Sequence, residues 1–559
     1  MFRGVFAPIL AATLLCGGTV LWAQDPYARV DAELALWHPA DMPGAVVWLV
    51  RDDQVIFKHA YGLANVKLNL PLRPDMAFHI GSITKQFTAA AVMKLVEEGK
   101  VNLQTPISSY LEQLPEAWKA ITVEQLLSHT AGLPNYTDSK DFWTRSQEAF
   151  GPKALLETFI GKLPLDFVPG TQFRYSNSGY VLLGMLIEKV SGLAYPEFLQ
   201  KRLLDPTGLS HTHYASDTEL MPGLATGYAI QGQVPARFRS VSQEYSAGGI
   251  ISTAEDLIHW TQALHNGKVV QLESLARMTS PALLKNGSQV PGYGFGLAFL
   301  ASSGHRLVGH DGLVPGFHTY VLADPQTRTV ALLLANTHTS FLDDTYIVPY
   351  LLTVIAGHPL PEIRPAAGLT PVAQKRLEGV YRWGNRVGCI SLEGGTLYNR
   401  LEGFPKQELV PLSDSEFAFK GAISRLHFQI TDGKPTGFVL TLGESPESFH
   451  GRMDPLPAQD PKVSERLLRD LKDLAAGTLT ADAFTPELAK RILPDGLKDA
   501  AALFKSLGEP KGMELYERVE RPDGICRYHY HLDYGEKHLS LWLGLNPDLQ
   551  IGEVDYLLD

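Results

Sequence analysis

Cysteine and basic residues are scarce in this chain. Only three cysteines occur among 559 residues, and Cys16 lies in the N-terminal apolar stretch, so the composition excludes a disulfide-stapled scaffold. Aspartate and glutamate number 60 against 49 lysines and arginines, which gives a formal net charge of −11, and there is no basic block. Nucleic-acid binding is therefore not expected, because it requires a basic surface.

Several motifs of other enzyme classes are also absent. The chain contains no H-E-x-x-H, C-x-x-C or G-x-x-x-x-G-K-[ST] string, and no G-x-S-x-G nucleophile elbow of the α/β-hydrolases. His211 with His213, and His529 with His531, could each offer two metal ligands, but neither pair has an evident third ligand nearby. We predict neither a metal site nor a cofactor.

Long apolar runs are absent except at the N-terminus. Residues 1–4 carry one positive charge, residues 5–22 are apolar, and Ala23-Gln24 follows. This pattern predicts an export signal over residues 1–23 that is cleaved near Ala23, and hence a periplasmic or secreted protein without a stable membrane span. The alternative is an uncleaved anchor, because the run is close to the length that crosses a bilayer.

The clearest chemical signal is Ser82-Ile83-Thr84-Lys85, which precedes a pattern predicting a buried helix that ends at Gly99. A serine and a lysine three residues apart share one helix face, with Cβ atoms about 5–6 Å apart. The helix start also offers unpaired N–H groups and a favourable dipole for an oxyanion. Both features suit a nucleophile with an adjacent base.

Two further polar groups stand at places where they can reach a cleft. Tyr175-Ser176-Asn177 precedes an apolar helix, and His310-Asp311-Gly312 lies between two strand-like runs, at a predicted sheet edge. The other H-x-G string, at His265, is explained more simply as a helix C-cap with Gly267 in the left-handed conformation.

Serine-x-x-lysine, tyrosine-x-asparagine and histidine-x-glycine, in this order, closely resemble the beta-lactamase-related serine hydrolases, which include class C beta-lactamases, D,D-peptidases, D-aminopeptidases and certain esterases. The resemblance covers roughly residues 25–360. It extends to the segments at 78–82, 126–134, 247–257 and 309–317. His129, in the second of these segments, is expected to be structural because no partner carboxylate is evident.

The resemblance implies an acyl-enzyme mechanism. Ser82 is the nucleophile, and Lys85 and Tyr175 share the proton transfers. Either residue ordinarily titrates near about 10, so one of their pKa values must be lowered for it to act as general base near neutral pH. The sequence does not indicate which of the two it is. Asn177 is expected to orient Lys85 and the substrate amide, and His310 to bond Tyr175 or the substrate. The backbone N–H groups of Ser82 and Leu313 form the expected oxyanion hole, and Gly312 is assigned to substrate binding with Asn177 and His310.

His310 stands where the penicillin-recognising members carry lysine. A neutral histidine offers no permanent cation to a substrate carboxylate, so we expect a preference for uncharged amides, esters or D-amino-acid peptides. One alternative is a beta-lactamase or penicillin-binding D,D-carboxypeptidase. Another is an inert cell-wall-binding or sensory protein. The expected partner is a small peptide, amide or ester, and the oligomeric state is left open.

Pattern changes divide the chain into an α/β (α+β) hydrolase domain and two smaller domains. The hydrolase domain, residues 24–360, is expected to be an antiparallel sheet built from both chain ends, flanked by helices and a helical subdomain. A proline-rich linker at 361–370 predicts separable domains. Alternating strands at 371–457 predict a lipocalin-like β-barrel. Helices followed by four strands at 460–559 predict a cystatin-like or nuclear-transport-factor-like α+β domain.

Overall fold

In the computed structural model, residues 26–558 are described, apart from 220, 230–234, 291, 303, 338–347, 349–350, 352–365, 367–370, 384–385, 402–405, 442–447, 457–460, 493–496, 521–524 and 536. The expected export signal and almost all of the expected linker lie outside the described residues. Within the described part of the chain, no helix has the length and apolarity needed to cross a bilayer.

The catalytic region contains helices on both sides of one large sheet. Its helices are α1 Pro26–Trp37, α2 Thr84–Glu97, α3 Val123–Leu127, α4 Lys140–Thr144, α5 Pro152–Leu155, α6 Asn177–Ser191, α7 Tyr195–Leu199, α8 Asp205–Thr207, α9 Tyr245–Gly248, α10 Ala254–His265 and α11 Leu272–Met278. Its strands are β1 Ala45–Arg51, β2 Gln54–Tyr61, β3 Leu63–Asn65, β4 Leu70–Pro71, β5 Ala77–His79, β6 His213–Tyr214, β7 Ile250–Thr253, β8 Ala298–Ser302, β9 His305–Val314, β10 Phe317–Asp324 and β11 Thr329–Ala335.

The large sheet joins both ends of the catalytic region, as predicted. Its antiparallel order is β2-β1-β11-β10-β9-β8, so the first long strand pairs with the last, Ala45 opposite Ala335. The run Ala45–Arg51 is apolar at almost every position because both sheet faces are covered. Val46 and Trp48 face one core with α2 and α10, whereas Val47 and Leu49 face a second core with α1.

Two smaller domains follow. The first contains α12 Pro371–Lys375 and an eight-stranded closed barrel: β12 Gly379–Trp383, β13 Arg386–Glu393, β14 Thr396–Leu401, β15 Gln407–Pro411, β16 Glu416–Phe419, β17 Arg425–Thr431, β18 Lys434–Thr441 and β19 Ser448–Met453. The second contains α13 Pro461–Ala476, α14 Pro486–Ile492, α15 Lys498–Leu507 and the antiparallel strands β20 Gly512–Glu520, β21 Cys526–Asp533, β22 His538–Leu545 and β23 Ile551–Leu558. The predicted barrel and the predicted helix-covered antiparallel sheet are both present.

Helix α1 packs against the barrel as well as against the large sheet, so that the expected separability of the domains stays a prediction. Glu33 of α1 is only 2 % exposed, and its carboxylate accepts hydrogen bonds from Ile423 N at 2.6 Å and Ser424 N at 2.9 Å. The same carboxylate accepts the Trp37 indole N–H at 2.6 Å. The Trp37 ring packs against Phe419 of the barrel, with centroids 5.6 Å apart. Helix α1 therefore belongs to the packing of both units.

We expect Trp37→Ala to destabilise the barrel as well as α1, because it removes a buried indole from their shared core. The cost should be about 3–5 kcal/mol of unfolding free energy. Trp143→Ala removes the same atoms from a half-exposed site, so it is the matched control. Denaturant unfolding followed by circular dichroism measures both, and equal losses for the two variants would contradict the shared core.

Candidate active site

Ser82 lies in a 3₁₀ turn, Gly81–Ile83, that leads directly into α2. Helix α2 is buried through its first ten residues, so the serine is held by a rigid element. The predicted common face with Lys85 is present, because Lys85 Nζ lies 2.9 Å from Ser82 Oγ. The Ser82 and Lys85 side chains are therefore in hydrogen-bonding contact.

The Lys85 amine is enclosed by three oxygen atoms. Besides Ser82 Oγ, it contacts Asn177 Oδ1 at 2.7 Å and the carbonyl oxygen of Ala247 at 2.8 Å. Burial lowers the pKa of Lys85 to about 7, although the charges of Asp311 and Glu244 act in the opposite direction. The amide and carbonyl oxygens can only accept, so a neutral amine donates its two hydrogens to them and directs its lone pair at the Ser82 hydroxyl.

Asn177 is itself held in position at the start of α6. Its backbone N–H donates to Asn135 Oδ1 at 3.1 Å, and its side-chain Nδ2 donates to Thr137 Oγ1 at 3.2 Å. Asn135 Nδ2 also donates to Thr137 Oγ1, at 2.8 Å. Sequence reasoning missed both supporting residues. The one available signal was their position directly after the segment 126–134.

Tyr175 lines the same cleft as Ser82, and its ring lies 4.9 Å from Lys85 Nζ. Burial raises the pKa of Tyr175 well above its ordinary value of 10, and the nearby Ser82 side chain offsets this only in part. The ring packs against His129, with centroids 4.3 Å apart. His129 Nδ1 accepts the backbone N–H of Ser176 at 3.2 Å, so this histidine has the structural role that the sequence predicted, supporting the Tyr175–Asn177 segment.

His310 does not occupy the place expected for it. Its side chain is only 3 % exposed and does not line the cleft, and its ring centroid lies 6.1 Å from that of Tyr175. Its Nδ1 lies 2.5 Å from the Asp311 carbonyl oxygen, which can only accept. Burial lowers the pKa of His310, so the ring is neutral and Nε2 accepts the hydroxyl of Tyr293 at 3.0 Å. The expected bond to Tyr175 or substrate is replaced by a bond to Tyr293, which sequence reasoning overlooked.

The strand pattern explains this placement. Along β9, His310, Gly312 and Val314 are buried, whereas Asp311 and Leu313 are exposed. A Cβ at Gly312 would lie 1.9 Å from the Ile80 carbonyl oxygen, so glycine is required for close packing against the nucleophile segment. Gly312 therefore shapes the site from behind, and its assignment to substrate binding stays a prediction.

Leu313 stands where an oxyanion donor is needed. Leu313 pairs with His318, and the next pair, Val314 with Phe317, closes the two-residue turn of the hairpin. Hydrogen-bonded and non-hydrogen-bonded pairs alternate along such a hairpin, so the Leu313 N–H points away from β10. Strand β8 pairs only with residues 305–309, which leaves this part of β9 as an open sheet edge, as predicted. A Cβ at Gly81 would lie 2.9 Å from Leu313 N, so the Leu313 N–H adjoins the nucleophile segment.

These groups border a cleft of about 890 Å³. Its walls combine aromatic rings, small residues and a few charged groups: Ser82, Tyr136, Thr137, Trp143, Tyr175, Asn177, Tyr228, Ala229, Ala236, Arg237, Arg239, Glu244, Ala247, Gly248, Asp311, Leu313, Val314, Pro315 and Gly316. Arg239 forms an ion pair with Glu244, whereas Arg237 is exposed. No cluster of three or more potential metal ligands is found among the residues the structure describes.

The sequence profile of the beta-lactamase family matches residues 31–351, more than half of the chain. The chain belongs to the beta-lactamase family. This is a family of serine hydrolases, and the match covers every residue of the proposed site. The predicted beta-lactamase-like fold is thereby confirmed.

Individual relatives are distant. Protein flp of Staphylococcus aureus strain MRSA252 is 26 % identical over 323 residues, which are 57 % of this chain and 64 % of flp, so the match spans less than two thirds of that relative. The octameric penicillin-binding protein homologue from Pyrococcus abyssi is 27 % identical, with a TM-score of 0.53 over 74 % of this chain and 96 % of that one. D-amino acid amidase from Ochrobactrum anthropi SV3, solved with L-phenylalanine, is 25 % identical, with a TM-score of 0.50 over 56 % and 95 %.

We expect Tyr293→Phe to destabilise the catalytic region by about 1–3 kcal/mol, because it leaves the buried Nε2 of His310 without its donor. Tyr398→Phe removes a hydroxyl from a partly exposed tyrosine of the barrel and should change stability by less than about 0.5 kcal/mol. Chemical denaturation compares the two variants with the native chain. A Tyr293→Phe variant as stable as the control would show that the bond to His310 contributes nothing.

Proposed function

We propose that this protein is an exported serine hydrolase that cleaves amide or ester bonds of small peptides, amides or esters through an acyl-enzyme. The observation that carries the proposal is the contact of Lys85 Nζ with Ser82 Oγ at 2.9 Å, with two acceptor-only oxygens on the other hydrogens of the amine. A buried amine placed in this way removes the serine proton without a histidine or carboxylate partner.

In the acylation step, the Ser82 hydroxyl oxygen attacks the substrate carbonyl carbon and its proton passes to Lys85. The carbonyl oxygen becomes an oxyanion, which the backbone N–H groups of Ser82 and Leu313 stabilise. One donor of this kind typically contributes about 3–4 kcal/mol to the transition state. Of the two candidates for the base, Lys85 is favoured, because burial lowers its pKa to about 7 and raises that of Tyr175.

Tyr175 is then the proton donor to the leaving group. Its hydroxyl stays protonated because burial raises its pKa, and Tyr175 lines the cleft together with Ser82, where the leaving amine or alcohol departs. The proton that Tyr175 gives up is replaced from Lys85, so the amine returns to its neutral form. A water molecule repeats the sequence on the acyl-enzyme and releases the acid, which restores Ser82.

The choice of amides and esters draws on the neighbouring proteins and on the cleft. One structural neighbour is a D-amino acid amidase by its name, and the cleft has aromatic walls at Tyr136, Trp143 and Tyr228. An acyl group with an aromatic or large aliphatic side chain would pack against these rings. Export is proposed from the N-terminal sequence alone, residues 1–23.

We expect Ser82→Ala to abolish both hydrolysis and labelling by a fluorophosphonate, because the nucleophilic oxygen is lost. The melting temperature should change little, since Ser82 contributes no side-chain cap to its helix. Mass spectrometry of the labelled native chain should place the adduct on the peptide containing Ser82. Labelling that survives Ser82→Ala would refute the mechanism, and a native chain that never labels would favour an inert binding protein.

We expect kcat/KM for a neutral ester to rise about tenfold per pH unit below pH 7 and to level off above it. The sign follows from Lys85, which must be unprotonated to act and has a pKa of about 7. Tyr175 stays protonated through the alkaline range because burial raises its pKa, so no fall should appear at moderately alkaline pH. A pH–rate profile still rising steeply from pH 8 to 10 would indicate an unperturbed lysine instead.

A second candidate function is that of a beta-lactamase or penicillin-binding carboxypeptidase. It is favoured by Arg237, an exposed guanidinium that lines the cleft and could bind the carboxylate of a penicillin. Hydrolysis or trapping of a fluorescent penicillin, measured beside the neutral ester, decides between the two. Faster reaction with the penicillin would make this second function the leading one.

A further inference from the structure

Asp311 is a charged group of the cleft that the mechanism does not use, and it stands two residues before Leu313 in β9. Its side chain is 52 % exposed and lines the cleft, on the same face of β9 as Leu313. We propose that Asp311 binds a protonated amino group on the carbon next to the scissile carbonyl. The preferred substrates are then aminoacyl amides, aminoacyl esters or peptides with a free amino terminus. This inference rests on the proposed function, since it assumes acylation of Ser82.

The spacing of the strand supports this assignment. Asp311 and Leu313 are neighbours on one face of β9, so their Cα atoms are about 6.7 Å apart along the strand. A substrate amino nitrogen lies two bonds from the carbonyl carbon, roughly 2.5 Å away. When the substrate carbonyl oxygen accepts a hydrogen bond from Leu313 N–H, the substrate amino group is within reach of the Asp311 carboxylate, two residues earlier in β9.

The carboxylate of Asp311 has no cationic partner among the described residues. Its nearest ion-pair contact is His310 Nδ1 at 3.6 Å, but that nitrogen already donates to the Asp311 carbonyl oxygen and the ring is neutral. Lys85 uses its contacts on Ser82, Asn177 and Ala247. The negative charge in the cleft is therefore available to a ligand.

The other charges of the cleft do not compete for an ammonium group. Glu244 is buried and paired with Arg239, so its charge is neutralised within the wall. Arg237 is a cation and would repel an amino group. Asp311 is thus the lining carboxylate that a positively charged substrate group meets. A neutral hydrogen-bond donor would gain less from it than an ammonium group, and an anionic substituent would be repelled.

The test compares three substrates that differ only at the amino position. Their acyl groups are phenylalanyl, N-acetylphenylalanyl and 3-phenylpropanoyl, which lacks the nitrogen. Each acyl group is tested as the p-nitroanilide and as the methyl ester, and both enantiomers are used where they exist. We expect the native enzyme to prefer the free amine, and Asp311→Asn to reduce the free-amine to N-acetyl ratio of kcat/KM by about 10- to 100-fold. Asp141→Asn, which removes an exposed charge of α4 outside the lining of the cleft, is the matched control and should leave the ratio within about twofold.

The outcomes separate this inference from the proposed function. If Asp311→Asn changes all three substrates in parallel, Asp311 acts only through the pKa of Lys85, and the inference is wrong. A native enzyme that labels at Ser82 but shows no preference for the free amine also overturns it, while the proposed function stands. A chain without Ser82 labelling overturns both.

Discussion

The proposed chemistry depends on one constraint: the Lys85 amine is buried and, among the described residues, contacts three oxygen atoms. Burial of Lys85 disfavours its charged form, and the oxygens of Asn177 and Ala247 accept the two hydrogens that a neutral amine can donate. The lone pair has one remaining direction, toward Ser82. Asn177 and Ala247 therefore decide where the base points.

The fold supplies this constraint by bringing three distant segments together at the start of α2. Helix α6 provides Asn177, the short helix α9 provides the Ala247 carbonyl, and the open edge of β9 adjoins the nucleophile segment. All three elements are buried or sheet-paired, so the site is placed by rigid structure. The barrel contributes indirectly, because its core is continuous through α1 with one face of the large sheet.

Sequence predicted the parts of this arrangement that are local. The Ser82–Lys85 contact follows from helix periodicity, the sheet from apolar runs at both ends of the catalytic region, and the barrel from regular alternation. Contacts between side chains far apart in the chain could not be predicted. The hydrogen bond that Ser424 N–H donates to Glu33 spans 391 positions, and no local pattern indicates it.

His310 shows why a motif position does not settle a role. In the structure, buried and exposed positions alternate along residues 310–314, and His310 falls on the buried side with Gly312. Which face is the inner one depends on tertiary packing against Tyr293 and Ile80. The expected preference for uncharged substrates rested on His310 facing the substrate, and the charges that line the cleft are instead Arg237, Arg239, Glu244 and Asp311.

The most direct test of the account is the protonation of Lys85 itself. Nitrogen-15 labelling of the lysine side chains, with the Lys85 signal assigned by its loss in Lys85→Met, allows an NMR titration of each amine. The account predicts that the Lys85 signal titrates with a pKa of about 7. A Lys85 signal that titrates at about 10.4, the ordinary value of a lysine side chain, would contradict the central claim that a neutral amine activates Ser82.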